Sequence, residues 1–219
     1  MILVRPPGVY RAQGDTFLLA EVLRQQAFAS GTRVLDLGTG TGALAVTAAR
    51  HGAAEVTAVD ISRQALAAAW LNARCRGLSL RVRQGDLLAP VPAAERFDVI
   101  VSNPPYVPAQ DTDLPRRGAS RAWDAGLDGR ALLDRVCAEA PRFLAPGGRL
   151  LLVHSALCGV DATLGMLDAA GLASRVVARC QQPFGPVLQA RAALLEARGL
   201  IRPGQRHEEL VVICGERAE

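Results

Sequence analysis

Residues 103–106 read Asn-Pro-Pro-Tyr and follow directly on an apolar run, Phe97-Asp98-Val99-Ile100-Val101-Ser102. Two consecutive prolines cannot continue a sheet ladder, and Pro104 biases Asn103 toward an extended backbone. A strand must therefore end here in a rigid turn, at the carboxyl edge where open α/β sheets bind their ligands. Asn103 offers an amide, Pro104 a carbonyl with no N–H beside it, and Tyr106 a flat ring. Together Asn103, Pro104, Pro105 and Tyr106 can hold a planar, nitrogen-bearing group by its edge and its face. That set suits chemistry on an amide or an amino-heterocycle.

A second constellation lies upstream. Val34-Leu35-Asp36-Leu37-Gly38-Thr39-Gly40-Thr41-Gly42 is a strand, a glycine-rich turn and the start of a helix. Glycine permits positive φ and lets a ligand approach the backbone. Gly38-x-Gly40-x-x-Ala43 also satisfies the dinucleotide pattern, and a tight turn without ligand is the plain alternative. Two carboxylates separate these readings. Asp36, at the strand tip, would repel a pyrophosphate and attract an ammonium or sulfonium. Asp60 ends the next strand, 18 residues beyond Gly42, where a carboxylate can accept both hydroxyls of a ribose. A third acid, Asp86 in Gly85-Asp86-Leu87, stands where it could meet an adenine amine or simply cap a turn.

The elements that must position these residues alternate in type. Strands are expected at Arg33–Leu37, Glu55–Val59, Ser79–Gln84, Phe97–Ser102, Arg149–Val153, Ser174–Cys180 and Glu209–Cys214. Helices are expected at Ala43–Arg50, Ser62–Arg76, Gly129–Phe143 and Gly159–Ala170, with Ser62 as an N-cap and Gly77 as a stop. Pro146-Gly147-Gly148 should turn the chain from a helix into the next strand. Another helix opens near Asp15, read as its N-cap. Such an order implies an α/β fold with a mostly parallel, Rossmann-like sheet covered on both faces. Residues 181–205 carry Pro183, Gly185, Pro186 and Pro203 around a helix-like Leu188–Arg198, and they read as an insertion before a final strand. The chain is expected to be one domain, 1–219, with a short helical lead-in over about 1–30.

Asp36–Gly42, Asp60, Gly85-Asp86-Leu87 and Asn103–Tyr106 together resemble class I S-adenosylmethionine-dependent methyltransferases of the Asn-Pro-Pro-Tyr branch. The segment Val9-Tyr10-Arg11-Ala12-Gln13-Gly14-Asp15-Thr16-Phe17-Leu18-Leu19 is similar to the short HemK-like subtype. Gly14 stands where that subtype usually carries an acid, and Arg11-Ala12 replaces its usual proline step. The likeness extends to about Val153. It implies a seven-stranded sheet with the last strand antiparallel. It also implies S-adenosylmethionine as cofactor, S-adenosylhomocysteine as product, and no metal. Cofactor contacts would come from Thr16, Asp36, Gly38, Thr39, Gly40, Gly42, Asp60, Ile61, Asp86, Leu87 and Asn103. Thr16 would meet the methionine end, Asp60 the ribose and Asp86-Leu87 the adenine. The implied acceptor is a glutamine side-chain amide of a protein such as a translation release factor, and a small zinc-binding activator subunit can accompany such enzymes. The alternatives are an exocyclic amine of adenine or guanine in nucleic acid, and a non-catalytic scaffold.

Composition bounds these readings. Half of the 219 residues are hydrophobic, which argues against disorder. No apolar run approaches the roughly 20 residues of a membrane helix, and the first residues break at Pro6-Pro7, so a cytoplasmic protein without a leader is expected. The five cysteines are odd in number and dispersed, and reduced, mostly buried thiols are expected. All 25 basic residues are Arg, which reflects codon usage more simply than phosphate recognition. Arg74-Cys75-Arg76, Arg81-Val82-Arg83 and Arg116-Arg117 are the basic patches a nucleic acid could use. Arg81 and Arg83 fit a charge-protected strand better. His51, His154 and His207 read as structural or exposed rather than as a general base. Trp123 precedes a Gly126-Leu127-Asp128-Gly129 step that the HemK-like proteins share.

Overall fold

The computed structural model describes residues 2–115 and 118–219. The Arg116-Arg117 step therefore lies outside the described residues. The strands are β1 (Arg33–Leu37), β2 (Glu55–Asp60), β3 (Arg81–Gln84), β4 (Phe97–Ser102), β5 (Leu144–Ser155), β6 (Leu172–Pro183) and β7 (His207–Arg217). They form one sheet in the order β3-β2-β1-β4-β5-β7-β6. β1 to β5 pair in parallel, and β7 runs antiparallel to both β5 and β6. This is the expected sheet with its last strand reversed. The chain changes direction across the sheet between β1 and β4, and a crevice opens there.

Among the described residues the α-helices are α1 (Gly14–Arg24), α2 (Ala43–Arg50), α3 (Arg63–Arg74), α4 (Ala131–Glu139), α5 (Val160–Ala169) and α6 (Pro186–Ala197). Strand residues alternate between two cores. Val34, Val99, Val101 and Leu151 pack with Leu19 and Leu23 of α1 and Leu44 of α2. Leu35, Leu37, Ile100 and Leu150 pack with Leu133 of α4, Leu167 of α5 and Leu195 of α6. Both faces are thus covered, which is why the inner strands read as unbroken apolar runs.

Three expectations shift. Pro146-Gly147-Gly148 does not separate a helix from a strand. It is a bulge inside β5, with Leu144 opposite Phe97 and Arg149 already opposite Val99. Gly147 has φ +68° there, and a Cβ on Gly148 would lie 2.8 Å from the Ala145 carbonyl oxygen. The helix expected to Phe143 is α4 followed by a 3₁₀ turn, Ala140–Phe143, where Pro141 supplies no N–H. Asp15 is not the N-cap of α1, since Gln13 holds that position. Ser62 is the N-cap of α3, accepting from the Ala65 N–H at 3.3 Å.

The N-terminal lead-in is helical only in α1. The residues before it lie across the crevice, pinned by Asn72 of α3. Its Nδ2 donates to the carbonyls of Val4 (2.9 Å) and Thr41 (3.0 Å), and its Oδ1 accepts from the Val4 N–H (2.8 Å). One side chain thereby ties the N-terminal segment to the glycine-rich turn. Two of the five cysteines, Cys75 and Cys180, are exposed, and Cys137, Cys158 and Cys214 are buried. Among the described residues no helix is long and apolar enough to cross a membrane.

Gly42 closes the glycine turn at φ +80°, and a Cβ there would lie 2.8 Å from Ala69 Cα of α3. Gly42→Ala is expected to destabilise the protein by about 2–4 kcal/mol, combining left-handed strain with overpacking. Urea unfolding checks this, and a loss below half a kcal/mol would contradict it.

Candidate active site

A cavity of about 500 Å³ lies at the carboxyl ends of β1, β2 and β4. That volume suits a small-molecule cofactor. The N-terminal segment walls it on one side, and Gly118 to Trp123 wall it on the other.

The floor is the glycine turn. Gly38 N–H and Thr39 N–H both donate to the Val59 carbonyl, at 2.9 and 3.0 Å, so the tip of β2 holds the turn that follows β1. Gly38 and Gly40 adopt φ +71° and +54°, and a Cβ on either would meet nothing within 4 Å. Their glycines serve backbone conformation and leave the cavity clear. Gly42 faces α3 instead and does not line the cavity.

Asp36 lies beneath this turn, fully buried and outside the cavity lining. Its Oδ2 accepts from Thr39 Oγ1 at 2.7 Å and from the Ala45 N–H at 2.9 Å, and its Oδ1 has no partner. It therefore joins the turn to the start of α2, where the helix dipole favours an anion. Burial pushes its carboxyl up to about 7, with the Asp60 charge adding to the effect. Asp60 lines the cavity. Its Oδ2 accepts from the Gly40 N–H at 2.9 Å and its Oδ1 from the Ser62 N–H at 2.8 Å, and burial raises its carboxyl as well. Two acids around a glycine turn suit a cationic ligand bearing hydroxyls better than a pyrophosphate.

The third acid sits differently. Asp86 is exposed and paired with Arg135 of α4, at 2.9 and 3.2 Å. Its carboxylate is already occupied. The Gly85-Asp86-Leu87 turn reaches the cavity nonetheless, and Ile61 joins it there. Leu87 is the one non-glycine residue of positive φ among those described, at +46°. Strain of this kind collects where a ligand must meet the backbone.

The roof is the Asn103–Tyr106 turn, and Asp15 organises it. Asp15 Oδ1 accepts from the Thr16 N–H (2.6 Å) and Thr16 Oγ1 (3.2 Å), while Oδ2 accepts from Tyr10 Oη (2.8 Å) and Tyr106 Oη (3.0 Å). Burial and the nearby Asp15 charge keep both phenols protonated, well above their usual range. Thr16 Oγ1 donates to Asp15, so it accepts from Asn103 Nδ2, at 3.0 Å. This chain settles the flip of the Asn103 amide. Nitrogen faces Thr16 and Oδ1 faces away, and among the described residues neither Asn103 Oδ1 nor the Pro104 carbonyl accepts a hydrogen bond. Ser102 Oγ donates to the Leu37 carbonyl at 2.9 Å, locking the tips of β4 and β1 together.

The Gly126–Gly129 step supports the turn from behind. A Cβ on Gly129 would lie 2.2 Å from the Tyr106 carbonyl oxygen. The Cys158 thiol, raised by burial to about 12, donates to that same oxygen at 3.1 Å. None of the three histidines lines the cavity. His154 is buried, and burial lowers it to about 4, so it stays neutral.

Sequence reasoning missed Asp15 as a site residue, and with it Tyr10. Its signal was an acid beside Thr16 at a helix start, which reads equally as a cap. Arg135 and Arg121, the latter lining the cavity and lowering Asp60 against its burial, had no local signal at all.

The pH dependence of Asp36 carries a sign. A carboxyl that binds its proton more tightly folded than unfolded favours the folded state at low pH, and that stability is lost as pH rises toward about 7. Asp36→Asn keeps an acceptor for Thr39 and Ala45 without the charge. Its melting temperature relative to the parent should climb by about 3 °C or more between pH 4 and 7 and then level off. A constant difference would contradict the account.

Comparison with known proteins is consistent with this geometry. Residues 1–117 match the family model of the methyltransferase small domain. A putative protein N5-glutamine methyltransferase of Methanocaldococcus jannaschii is 32% identical over 186 residues, covering 85% of this chain and 92% of that protein. The release factor glutamine methyltransferase of Bordetella pertussis is 41% identical over 173 residues, and the match covers 76% of this chain and 63% of that enzyme. The chain thus spans just under two thirds of this bacterial relative. Among solved structures, the E. cuniculi Mtq2–Trm112 complex, described as responsible for methylation of the termination factor eRF1, shares the fold. Its TM-score is 0.61 at 22% identity, covering 96% of this chain and 99% of that one. The chain belongs to the methyltransferase small-domain family, in its HemK-like branch, and is an S-adenosylmethionine-dependent methyltransferase.

Proposed function

We propose that this protein methylates the side-chain amide nitrogen of a glutamine in a protein substrate, a translation release factor being the leading candidate. The observation that carries this reading is the fixed flip of Asn103, which leaves two acceptors, Asn103 Oδ1 and the Pro104 carbonyl, side by side at the end of β4. A primary carboxamide carries two N–H bonds to match them. The names of the relatives support the glutamine, and the archaeal protein does so over nearly its whole length.

S-adenosylmethionine supplies, when bound, a methyl group on a positively charged sulfur that leaves readily. The residues that fit it are those of the cavity floor: Gly38, Thr39 and Gly40 beneath it, Asp60 for the ribose hydroxyls, and Ile61 with Asp86-Leu87 beside the adenine. Thr16 faces the methionine end. Asp36 acts from below, by holding Thr39 and adding negative charge under a cationic ligand, and Gly42 acts by letting α2 and α3 close.

An amide nitrogen is a poor nucleophile because its lone pair is shared with the carbonyl. Asn103 Oδ1 and the Pro104 carbonyl orient it and stabilise positive charge developing on it. Pro105 stiffens the turn. Tyr106 packs its ring against the acceptor plane while its hydroxyl stays on Asp15.

Among the described residues, arginines of two of the basic patches that a nucleic acid could use have partners within the chain. Arg81 pairs with Glu55 at 2.8 Å and Arg83 with Glu95 at 2.6 Å. Arg76 Nη1 donates to the Asn72 carbonyl at 2.6 Å. These contacts support a protein acceptor over a nucleic acid. The whole activity is assigned to one domain, with the expected insertion as part of it.

Incubation of the protein with labelled S-adenosylmethionine, a purified release factor and bulk RNA tests the reading. One methyl on the glutamine of the factor's Gly-Gly-Gln loop, located by tandem mass spectrometry, is the expected result. Label only in RNA would overturn it. Activity of the chain alone would dispense with an activator subunit; activity that appears only with a small zinc-binding partner would establish the need for one. Asn103→Ala should bind S-adenosylhomocysteine within about threefold of the parent while its kcat falls by about 10²-fold or more. Near-normal transfer by that variant would contradict the role given to Asn103.

A further inference from the structure

The segment between β6 and β7 reaches, through two arginines, the chain that directly follows the cavity-lining residues Tyr106 and Val107. Helix α6 turns Leu188, Ala192 and Leu195 into the core, all nearly inaccessible. Its C-terminal end is fixed by Glu196, which accepts from the Gly204 N–H at 3.0 Å and from Arg206 at 2.7 Å. Arg191 and Arg198 are seven residues apart, roughly two helical turns, and so share one face. That face meets the chain just after the Asn103–Tyr106 turn. Arg191 Nη1 donates to the Pro108 carbonyl at 2.9 Å and lies 2.7 Å from Asp124 Oδ1 as a charge pair. Arg198 donates through Nη1 to the Ala109 carbonyl (2.6 Å) and through Nη2 to the Gln110 carbonyl (2.9 Å).

The segments so held are themselves paired. Val107 N–H donates to the Trp123 carbonyl at 2.7 Å, Ala125 N–H to the Val107 carbonyl at 3.1 Å, and Ala109 N–H to the Gly126 carbonyl at 2.7 Å. Tyr106 and Val107 on one side, and Trp123 on the other, line the cavity. Three successive carbonyls, of residues 108 to 110, are thus engaged by a core-anchored helix. Apart from the Asp124 carboxylate, the groups that the arginines grip are backbone carbonyls.

We propose that α6 is the acceptor-positioning element of this enzyme, and that Arg191 and Arg198 are positioning residues that set the mouth through which the acceptor reaches Asn103. This rests on the acceptor being a protein glutamine as proposed above. The cofactor floor lies on the other side of the cavity and touches neither arginine. Displacing the mouth should therefore affect acceptor use and spare cofactor binding.

The test compares Arg191→Gln, Arg198→Gln and the double variant with the parent. Calorimetry with S-adenosylhomocysteine should give affinities within about twofold. The acceptor KM should rise, or kcat fall, by about tenfold in each single variant and more in the double. Unchanged acceptor kinetics, or a loss of cofactor affinity in step with activity, would overturn the proposal. Hydrogen exchange supplies a readout independent of the acceptor. The amides of Val107, Ala109 and Ala125 should exchange faster in the variants, while those of β1 and β2 stay protected. If the parent methylates no release factor but exchange changes in this pattern, the acceptor assignment fails and the role of α6 as the strut of the mouth stands. If exchange is unchanged, the role of α6 fails whatever the acceptor.

Discussion

A buried carboxylate with only neutral partners is the constraint on which this site depends. Asp15 is 3% exposed, and its hydrogen bonds come from two phenols, a hydroxyl and a backbone N–H. Burying an ion is costly unless its lone pairs are satisfied. Each donor is therefore held in place by the cost of leaving that charge bare. Those donors come from three separate parts of the chain: Tyr10 from the extended N-terminal segment, Thr16 from the first turn of α1, and Tyr106 from the end of the Asn-Pro-Pro-Tyr turn. Asn103 is reached at one remove. A single carboxylate thereby converts three separate segments into one wall with a defined amide orientation.

The opposite wall follows a different logic. There the fold itself supplies position, because the strand order reverses between β1 and β4 and leaves a crevice at their tips. The glycine turn is fastened by the Val59 carbonyl, by Asp36 and Asp60, and by the close approach of Gly42 to α3. Burial raises the proton affinity of both acids, which means that their charge is poorly compensated by the protein. A cationic ligand is the natural compensation. Reaction chemistry then needs little from the protein beyond placement, and both walls are built for placement.

Much of this was legible in the sequence, for identifiable reasons. β1 and β4 fell on their expected residues because buried parallel strands give unbroken apolar runs between clear turn signals. The glycine turn, Asp60 and the Asn103 turn stand out because each breaks or ends such a run with a residue type the chemistry needs. What stayed hidden depends on contacts far apart in sequence. Asp15 looks like a cap until Tyr106, 91 residues away, is seen to donate to it. Asp86 looks like a free acceptor until Arg135 is seen on it. Gly129 looks like an ordinary helix entry until the Tyr106 carbonyl is seen where its Cβ would be. The segment at 181–205 read as an insertion because its prolines and glycines carry local information only, while its meaning lies in which carbonyls Arg191 and Arg198 reach.

Asp15 can reach the acceptor through Thr16 and Asn103, and a double-mutant cycle on kcat measures whether it does. Asp15→Asn keeps the shape but not the four acceptor sites, and Asn103→Ala removes the amide whose orientation those sites determine. If the two residues work as one chain, Asp15→Asn should cost much less in the Asn103→Ala background than in the parent. The coupling should be about 1.4 kcal/mol or more, at least a tenfold departure from independence. Effects that simply multiply would contradict the account, because Asp15 would then matter to stability or to cofactor binding and not to the amide that meets the acceptor.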